Sequence, residues 1–215
     1  WDQNVLRLRE GARVGAQALA GEAERVLGPA GVAHRRVSMG PETGERLRPA
    51  FESLGWRVDR YVFMAAERPV AAGRAGERVV ELTFEDVWAF RRQQAEEERG
   101  AGDVQLLQQL GELYRRWARA GRPRHFGVVA DGKVVSVSDL YSDGRTAQIE
   151  DVATLPAYRN RGYATTTVLS ALAAATCEGH ELVFLVADAD DWPKELYSGL
   201  GFEEIGLGYA FLRVG

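Results

Sequence analysis

A single cysteine, Cys177, stands among the 215 residues, so no disulfide can close within the chain and a reducing, cytoplasmic setting is expected. Lysine is nearly missing too. Lys133 and Lys194 are the only two, and arginine supplies the other cations, which reads as compositional bias and not as phosphate recognition. Cations do not outnumber acids: 27 Lys and Arg face 31 Asp and Glu, for a formal net charge of −4, so the basic footprint of a nucleic-acid binder is absent. No apolar run approaches the length of a membrane span, which argues against a membrane protein. The three histidines, His34, His125 and His180, keep no metal-ligand spacing with one another or with Cys177, and no metal is expected. No signal-peptide pattern is visible; the sequence begins at Trp1 without a methionine, so further N-terminal residues are expected before it.

Hydrophobic residues make up 46%, ample for a core. Two segments interrupt the pattern. Residues 68–78, RPVAAGRAGER, read as a linker, and 98–103, ERGAGD, as a loop between helices. The chain is therefore expected to divide into 1–67, the linker, and a domain over 79–215. Before the linker the spacing predicts strand, helix, strand, helix, strand, over Asn4–Leu8, Val14–Leu27, Ala33–Met39, Pro41–Leu54 and Arg57–Ala65, with Val58, Tyr61 and Phe63 facing inward. After it come a strand at Val79–Leu82 and a helix to Glu97 capped by Thr83, because Asp86 follows three residues on. A second helix over Asp103–Ala120 carries Val104, Leu107, Leu110, Leu113, Tyr114 and Trp117 on one face. Strands at Arg124–Ala130 and Lys133–Ser142 flank an Asp131-Gly132 hairpin turn. Then follow a strand at Ala147–Thr154, a helix at Gly162–Thr176, a strand at Leu182–Ala187 apolar enough to be buried on both faces, a helix at Pro193–Leu200 and a strand at Glu203–Val214.

The segment PAFESLGWRVDRYVFMAA (49–66) echoes KELYSGLGFEEIGLGYAFLRV (194–214). Each is a helix ending in Leu-Gly-aromatic and running into a strand, which favours duplication of one unit.

The segment VATLPAYRNRGYAT (152–165) carries the most chemistry. A strand ends, the chain turns, and a helix begins with free N–H groups and the positive end of its dipole, a setting that suits a pyrophosphate. Gly162 and Ala164 keep the backbone accessible, and Arg159 and Arg161 add cationic donors. The run Arg159-Asn160-Arg161-Gly162-Tyr163-Ala164 resembles the Gln/Arg-x-x-Gly-x-Gly/Ala loop of the GNAT superfamily of N-acetyltransferases. Downstream, DADDWPKELYSGLGF (188–202) resembles the superfamily's Asn-x-x-Ala-x-x-Leu-Tyr-x-x-x-Gly-Phe motif. Leu196-Tyr197 and Gly201-Phe202 match, while Asp190 and Pro193 stand where Asn and Ala are usual, which weakens a side-chain contact to the pantetheine arm.

The resemblance implies an α/β fold with a mixed, mostly antiparallel sheet flanked by helices, joined to an N-terminal half-unit of β-α-β-α-β order. It implies acetyl-CoA as donor, held by Val152, Ala153, Thr154, Arg159, Asn160, Arg161, Gly162, Tyr163, Ala164 and Thr165, with Asp190 beside the arm. It also implies Tyr197 as the acid that protonates the departing thiolate. The pantetheine arm would pair with Val152–Thr154 like an added strand, and the N–H groups there could polarise the thioester. Glu150, on the same strand just ahead, is the first candidate to deprotonate the amine; a surface carboxylate is an equal reading, and Asp151 should face the other way. The loop-like runs at 9–11 and 13–16 miss the required spacing, so the N-terminal half is expected not to bind the donor. Cys177 reads as a buried small residue, His125 as a strand-edge residue, and Tyr141, Tyr209 and Trp117 as core aromatics that could also line the acceptor site.

Two functions remain: transfer of an acetyl group to a primary amine on a small molecule or protein, or a non-catalytic acyl-CoA-binding or regulatory module. A third possibility is that the N-terminal half makes a homodimer by covering a sheet edge.

Overall fold

The computed structural model describes residues 4–9, 11–31, 33–66, 79–99 and 104–214. The expected linker at 68–78 and residues 100–103 of the expected interhelical loop lie outside them. The elements are β1 (Leu6–Arg7), α1 (Ala16–Leu27), β2 (His34–Met39), α2 (Pro41–Ser53), β3 (Arg57–Ala66), β4 (Val79–Leu82), α3 (Phe84–Arg99), α4 (Val104–Gly121), β5 (Arg124–Ala130), β6 (Lys133–Ser142), β7 (Thr146–Thr154), α5 (Tyr163–Cys177), β8 (Leu182–Asp188), α6 (Pro193–Gly199) and β9 (Glu203–Val214), with a 3-10 turn at Pro156–Tyr158. Among the described residues, no helix is long and apolar enough to cross a membrane.

Two compact units emerge. The first holds residues up to Met64, with Val186–Glu195 and the residues from Glu204 on. Its strands run β1-β2-β9-β3. β1 lies parallel to β2, and β2 antiparallel to β9. The last strand, expected with 79–215, therefore pairs with the N-terminal strand β2. The register explains the attraction: Val37 sits opposite Phe211 and Met39 opposite Tyr209, and all four pack into one core with Phe51, Trp56, Leu19 and Ala23. Phe51 stacks on Phe211 at 4.2 Å. Helix α2 approaches so closely at Gly44 that a Cβ there would lie 2.3 Å from the Tyr209 ring and 2.6 Å from its Cβ.

The face of β3 differs from expectation. Val62, Met64 and Ala66 are buried, whereas Phe63 is 37% exposed and Tyr61 only half-buried. Val58 shares the parity of Val62 and packs on the core as expected. Two glycines on β9 account for Phe63, whose ring fills the surface left by Gly206 and Gly208. Tyr61 is engaged by the Arg36 guanidinium.

The second unit, Ala65–Leu185 with Leu196–Glu203, has strands in the order β8-β7-β6-β5-β4. All neighbours are antiparallel except β7 and β8. The α/β class and the mixed, mostly antiparallel sheet flanked by helices are as the resemblance implied. Thr83 and Asp86 form the expected reciprocal cap: the Asp86 N–H donates to Thr83 Oγ1 at 3.2 Å, and the Thr83 N–H to Asp86 Oδ2 at 3.0 Å. Asp131 and Gly132 both take positive φ (52° and 74°), the type I′ turn that suits strand twist. β8 is not buried on both faces: Val183, Leu185 and Ala187 are buried, but Leu182 and Val186 are exposed. Cys177 closes α5 at an exposed position and is not a core residue.

The Leu-Gly-aromatic echo is a repeated helix stop. In the first copy the N–H groups of Gly55 and Trp56 donate to Glu52 O (2.9 Å) and Phe51 O (3.0 Å). In the second, those of Gly201 and Phe202 donate to Ser198 O (3.1 Å) and Tyr197 O (3.1 Å). Both glycines are left-handed, at φ 76° and 88°. This is the Schellman pattern, with its apolar contact between the residue after the glycine and the third residue from the helix end. Trp56 meets Phe51 edge-on at 5.2 Å, and Phe202 meets Tyr197 edge-on at 6.2 Å. Phe51 thus holds in the first unit the position that Tyr197 holds in the second.

The close approach at Gly44 yields a stability prediction. Gly44→Ala gains helix propensity of about 1 kcal/mol but forces a methyl into the Tyr209 ring, and overpacking of about 1–3 kcal/mol should win. Thermal unfolding should show a lower melting temperature for Gly44→Ala. Gly21→Ala, on α1 with nothing within 4 Å of the added carbon, should be neutral or stabilising.

Candidate active site

β7 alternates as a strand should as far as Glu150: Ala147 and Ile149 are buried, and Gln148 and Glu150 are half-buried. The pattern then breaks. Glu150 pairs with Asp139 but Ala153 with Val137, so β7 holds one residue more than β6 over this stretch. Asp151 takes φ 54°, left-handed for a non-glycine residue. The simple alternation that set Asp151 opposite Glu150 does not extend through this bulge. Pairing with β8 runs from Thr146↔Leu182 to Ile149↔Leu185 and, among the described residues, goes no further. Val152, Ala153 and Thr154 thus continue a strand that no longer has β8 on that side.

An arginine fixes the bulge. Arg91 on α3 is 11% exposed at its side chain; its Nη2 donates to the Asp151 carbonyl at 2.5 Å and lies 4.0 Å from Asp139 Oδ2. The other Asp139 oxygen is 2.7 Å from His125 Nδ1. An N–H at Nδ1 donates to the carboxylate. His125 is therefore a buried residue on an interior strand and not an edge residue. The pairs His125↔Asp139 and Asp139↔Glu150 are cross-strand neighbours, so the three side chains form a row on one sheet face. The Glu150 carboxylate accepts from the Gln148 amide.

Two members of this row, His125 and Asp139, line a small recess under α3 and α4 with room for about one water (about 10 Å³), together with Arg91, Trp88, Tyr114 and Tyr141. Burial, followed by the negative charges of Asp139, Asp151 and Glu150, pushes the Tyr141 phenol up. Trp117 meets Tyr114 edge-on at 5.4 Å outside the lining, and Tyr209 belongs to the core of the first unit, bonded to Glu45. Arg91 and Asp139 gave no signal in the sequence. An arginine on a helix and an aspartate in an apolar strand declare themselves only when pairing brings them together.

Past Thr154 the chain turns through Leu155, Pro156–Tyr158 and Arg159 into α5. Tyr158 anchors the turn by donating to Asp131 at 2.9 Å. Arg161 lies over its ring at 5.0 Å and donates to Ala157 O, while Arg159 Nε donates to Thr154 O at 3.2 Å. Backbone carbonyls thereby keep both cations at the loop. Asn160 (φ 61°) and Gly162 (φ 86°) are left-handed. A Cβ on Gly162 would meet nothing within 4 Å, so within the chain the glycine supplies conformation, not clearance. The first bond of the helix is Thr166 N–H to Gly162 O at 3.0 Å, which leaves the Tyr163, Ala164 and Thr165 N–H groups as helix-end donors. The Tyr163 ring packs into the core against Tyr158. Thr154 shares a hydroxyl contact of 2.9 Å with Ser136.

Tyr197 is 8% exposed. Burial chiefly, and the negative charge of Glu150 second, push its phenol up. Asp190, in the first unit, is engaged by both nitrogens of the Arg60 fork, which holds its carboxyl below the usual range. α1, the helix after β1, starts differently from α5: its cap, Gly15, is extended at φ −89°. The missed spacing at 13–16 thus goes with a different backbone.

The acetyltransferase (GNAT) family model matches residues 84–202, more than half of the chain and the whole of this site except its neighbours in β4. The chain belongs to the GNAT acetyltransferase family. Among solved structures, a functionally unknown conserved protein from Staphylococcus epidermidis shares 13% identity at TM-score 0.71, over 94% of this chain and 82% of its own. A GCN5-related N-acetyltransferase from Sphaerobacter thermophilus shares 16% at 0.67, over 97% and 73%. A tandem GNAT protein from the clavulanic acid biosynthesis pathway shares 18% at 0.62, over 98% and 75%. At these identities the likeness is one of fold. No curated protein matches the chain.

The Arg91 contact gives a measurable consequence. Arg91→Met removes a charge-assisted bond to a strand carbonyl, so urea unfolding should show a loss of about 2 kcal/mol. An unchanged midpoint would mean that the bulge needs no clamp.

Proposed function

We propose that this GNAT protein transfers the acetyl group of acetyl-CoA to a primary amine by direct attack in a ternary complex. The observation that carries the proposal is the run Val152–Thr154, paired with β6 on one side and, among the described residues, no longer with β8 on the other, leading into a helix N-terminus shaped by left-handed Asn160 and Gly162. A donor with an extended amide-bearing arm and a pyrophosphate fits that sequence of groups: strand-like pairing for the arm, free N–H donors and two arginines for the phosphates. Asn160, Arg161, Gly162, Tyr163, Ala164 and Thr165 would supply the cradle, with Arg159 beside it. The donor contributes a thioester carbonyl, which N–H groups of the 152–154 segment could polarise.

In this reading Glu150 would accept the proton of the incoming ammonium, directly or through water. The neutral amine then forms the new N–C bond, the C–S bond breaks, and Tyr197 gives its phenolic proton to the departing sulfur. The second proton that the nitrogen sheds leaves through the base, so the reaction releases one proton to solvent. Burial favours the neutral phenol, the form a proton donor must have. The first unit, with Phe51 at the Tyr197 position and an extended Gly15 at its helix start, is best read as a partial second copy without a donor site of its own.

One observation favours the second reading, a binding or regulatory module. Arg60 already occupies the Asp190 carboxylate, so this position offers the arm no donor. Binding and turnover separate the two. Acetyl-CoA should raise the melting temperature under both readings, and free coenzyme A should accumulate with an amine only under the first. Without thermal stabilisation by acetyl-CoA, both readings fail.

Tyr197→Phe should lower kcat about 100-fold while leaving the KM for acetyl-CoA within about twofold. The pH dependence has a definite sign. The Tyr197 pKa is raised, so the proton it donates is held throughout the range below the ordinary tyrosine value of about 10. kcat should therefore show no loss of this acid below about pH 10. A falling limb near pH 8 in the parent enzyme that is absent from Tyr197→Phe would contradict the assignment.

A further inference from the structure

A guanidinium fills the space between α3 and β7 at a cost. The Arg91 side chain is 11% exposed, and among the described residues nothing accepts from its Nε, which is buried. Desolvating a cation and leaving one of its donors unmet works against stability. What the cation reaches is specific. Nη2 donates to the Asp151 carbonyl and faces Asp139 Oδ2 at 4.0 Å, and Nη1 lies 3.4 Å from Gln94 Oε1. We infer that Arg91 is a positioning residue for donor binding: by holding the Asp151 carbonyl it fixes which backbone groups of Val152–Thr154 face the open side of β7, and it thereby serves the pantetheine arm and not the phosphates. This inference rests on the acetyl-CoA reading above.

The facing of these groups follows from alternation along the strand. The Leu155 N–H donates to Val135 O at 3.0 Å, and the Ala153 carbonyl accepts from Ser136 Oγ at 3.0 Å, so both residues turn their backbone groups toward β6. Thr154, between them, turns the other way: its carbonyl accepts from Arg159 Nε at 3.2 Å. Val152 has the parity of Thr154. On the side where pairing with β8 has ended, the strand therefore presents the N–H and C=O of Val152 and the N–H of Thr154.

The extra residue at the bulge sets that parity. Glu150 pairs with Asp139 but Ala153 with Val137, a shift of one residue. Backbone direction alternates along a strand, so without the bulge Ala153 would face outward, and Val152 and Thr154 would face β6. The bulge includes Asp151 at φ 54°, a conformation that persists only where the surroundings oppose its relaxation. The bond from Arg91 to the Asp151 carbonyl opposes it. The loop that would meet the phosphates has other supports, with Tyr158 bonded to Asp131 and Arg161 to Ala157 O. Arm and phosphates thus depend on separate contacts.

The test measures dissociation constants by calorimetry on the full chain for two ligands. One is acetyl-CoA. The other is 3′-phosphoadenosine 5′-diphosphate, which has the phosphates of coenzyme A and no arm; its affinity is read by displacement of acetyl-CoA where direct titration is too weak. Arg91→Met should weaken acetyl-CoA about tenfold, because the arm must then order the strand it pairs with, and leave the armless ligand within about twofold. Arg91→Lys keeps the cation and a donor on a shorter reach, and should lie between, at a loss of about threefold. A variant that only loosened the domain would weaken both ligands alike. That result overturns the inference, as does an unchanged affinity for acetyl-CoA or failure of the armless ligand to bind the parent protein that binds acetyl-CoA; in each case the donor reading stands. If the parent binds neither ligand, the donor reading itself fails and the inference falls with it. Should Arg91→Met not fold, Arg91→Lys decides: a loss confined to acetyl-CoA supports the inference, and a shared loss or none overturns it.

Discussion

The contact from Arg91 to the Asp151 carbonyl determines where β7 stops behaving as an ordinary strand. Up to Glu150 the strand has partners on both sides and alternates buried with half-buried residues. At Asp151 the backbone turns left-handed, and an extra residue enters against β6. A left-handed aspartate in a strand costs on the order of 1 kcal/mol and persists only if the surroundings over-determine it. A buried guanidinium on the bulge carbonyl, itself facing Asp139, is such a surrounding. The consequences run in two directions. Downstream, Val152–Thr154 keep β6 on one side but, among the described residues, no longer pair with β8, and lead into the α5 loop. Sideways, the same guanidinium ties the strand to α3 and so to the wall of the recess. The segment proposed for the donor and the helix packed beside it are held by one side chain.

The loop itself is organised by conformation more than by clearance. Its arginines are tied to Ala157 and Thr154 carbonyls, which fixes where their charge sits. Asn160 and Gly162 both take left-handed φ, a backbone demand that glycine and asparagine meet most readily. This explains why a six-residue spacing is informative. Each position answers to a backbone demand, and few sequences meet all of them.

That is also why some of the structure could be read beforehand and some could not. Local rules act within a few residues. The Thr83–Asp86 cap, the Asp131-Gly132 turn, the element order and the Arg159–Ala164 loop follow from local rules and were legible. What depended on partners distant in sequence was not. The pairing of β9 with β2 needs Val37 and Phe211 to meet, and nothing at either position names the other. The face of β3 turned on two glycines in β9 that shelter Phe63. β8 reads as uniformly apolar, yet only alternate residues are buried, because apolar composition sets no limit on exposure. Cys177 ends its helix at the surface although its neighbours are alanines. Of the row His125, Asp139 and Glu150, Glu150 was legible from its place in the strand. Asp139 and Arg91 were not, since strand register and helix packing create that cluster.

The repeated helix stop carries the comparison between the units furthest. In both copies a left-handed glycine closes the helix, and the aromatic after it packs edge-on against the ring at the third position from the end. The ring is needed in both places, because it completes the apolar contact of the Schellman turn. Only its substituent is free to vary. In the first unit the ring is Phe51, fully buried and stacked on Phe211, where a hydroxyl would have to find a partner inside an apolar core. In the second it is Tyr197, equally needed for the turn but reached by the charge of Glu150. A residue that packs the turn is already held rigid, so a hydroxyl added there is positioned without further ordering. The two units thus differ at this point by one oxygen atom, on a ring whose packing role the turn already requires in both.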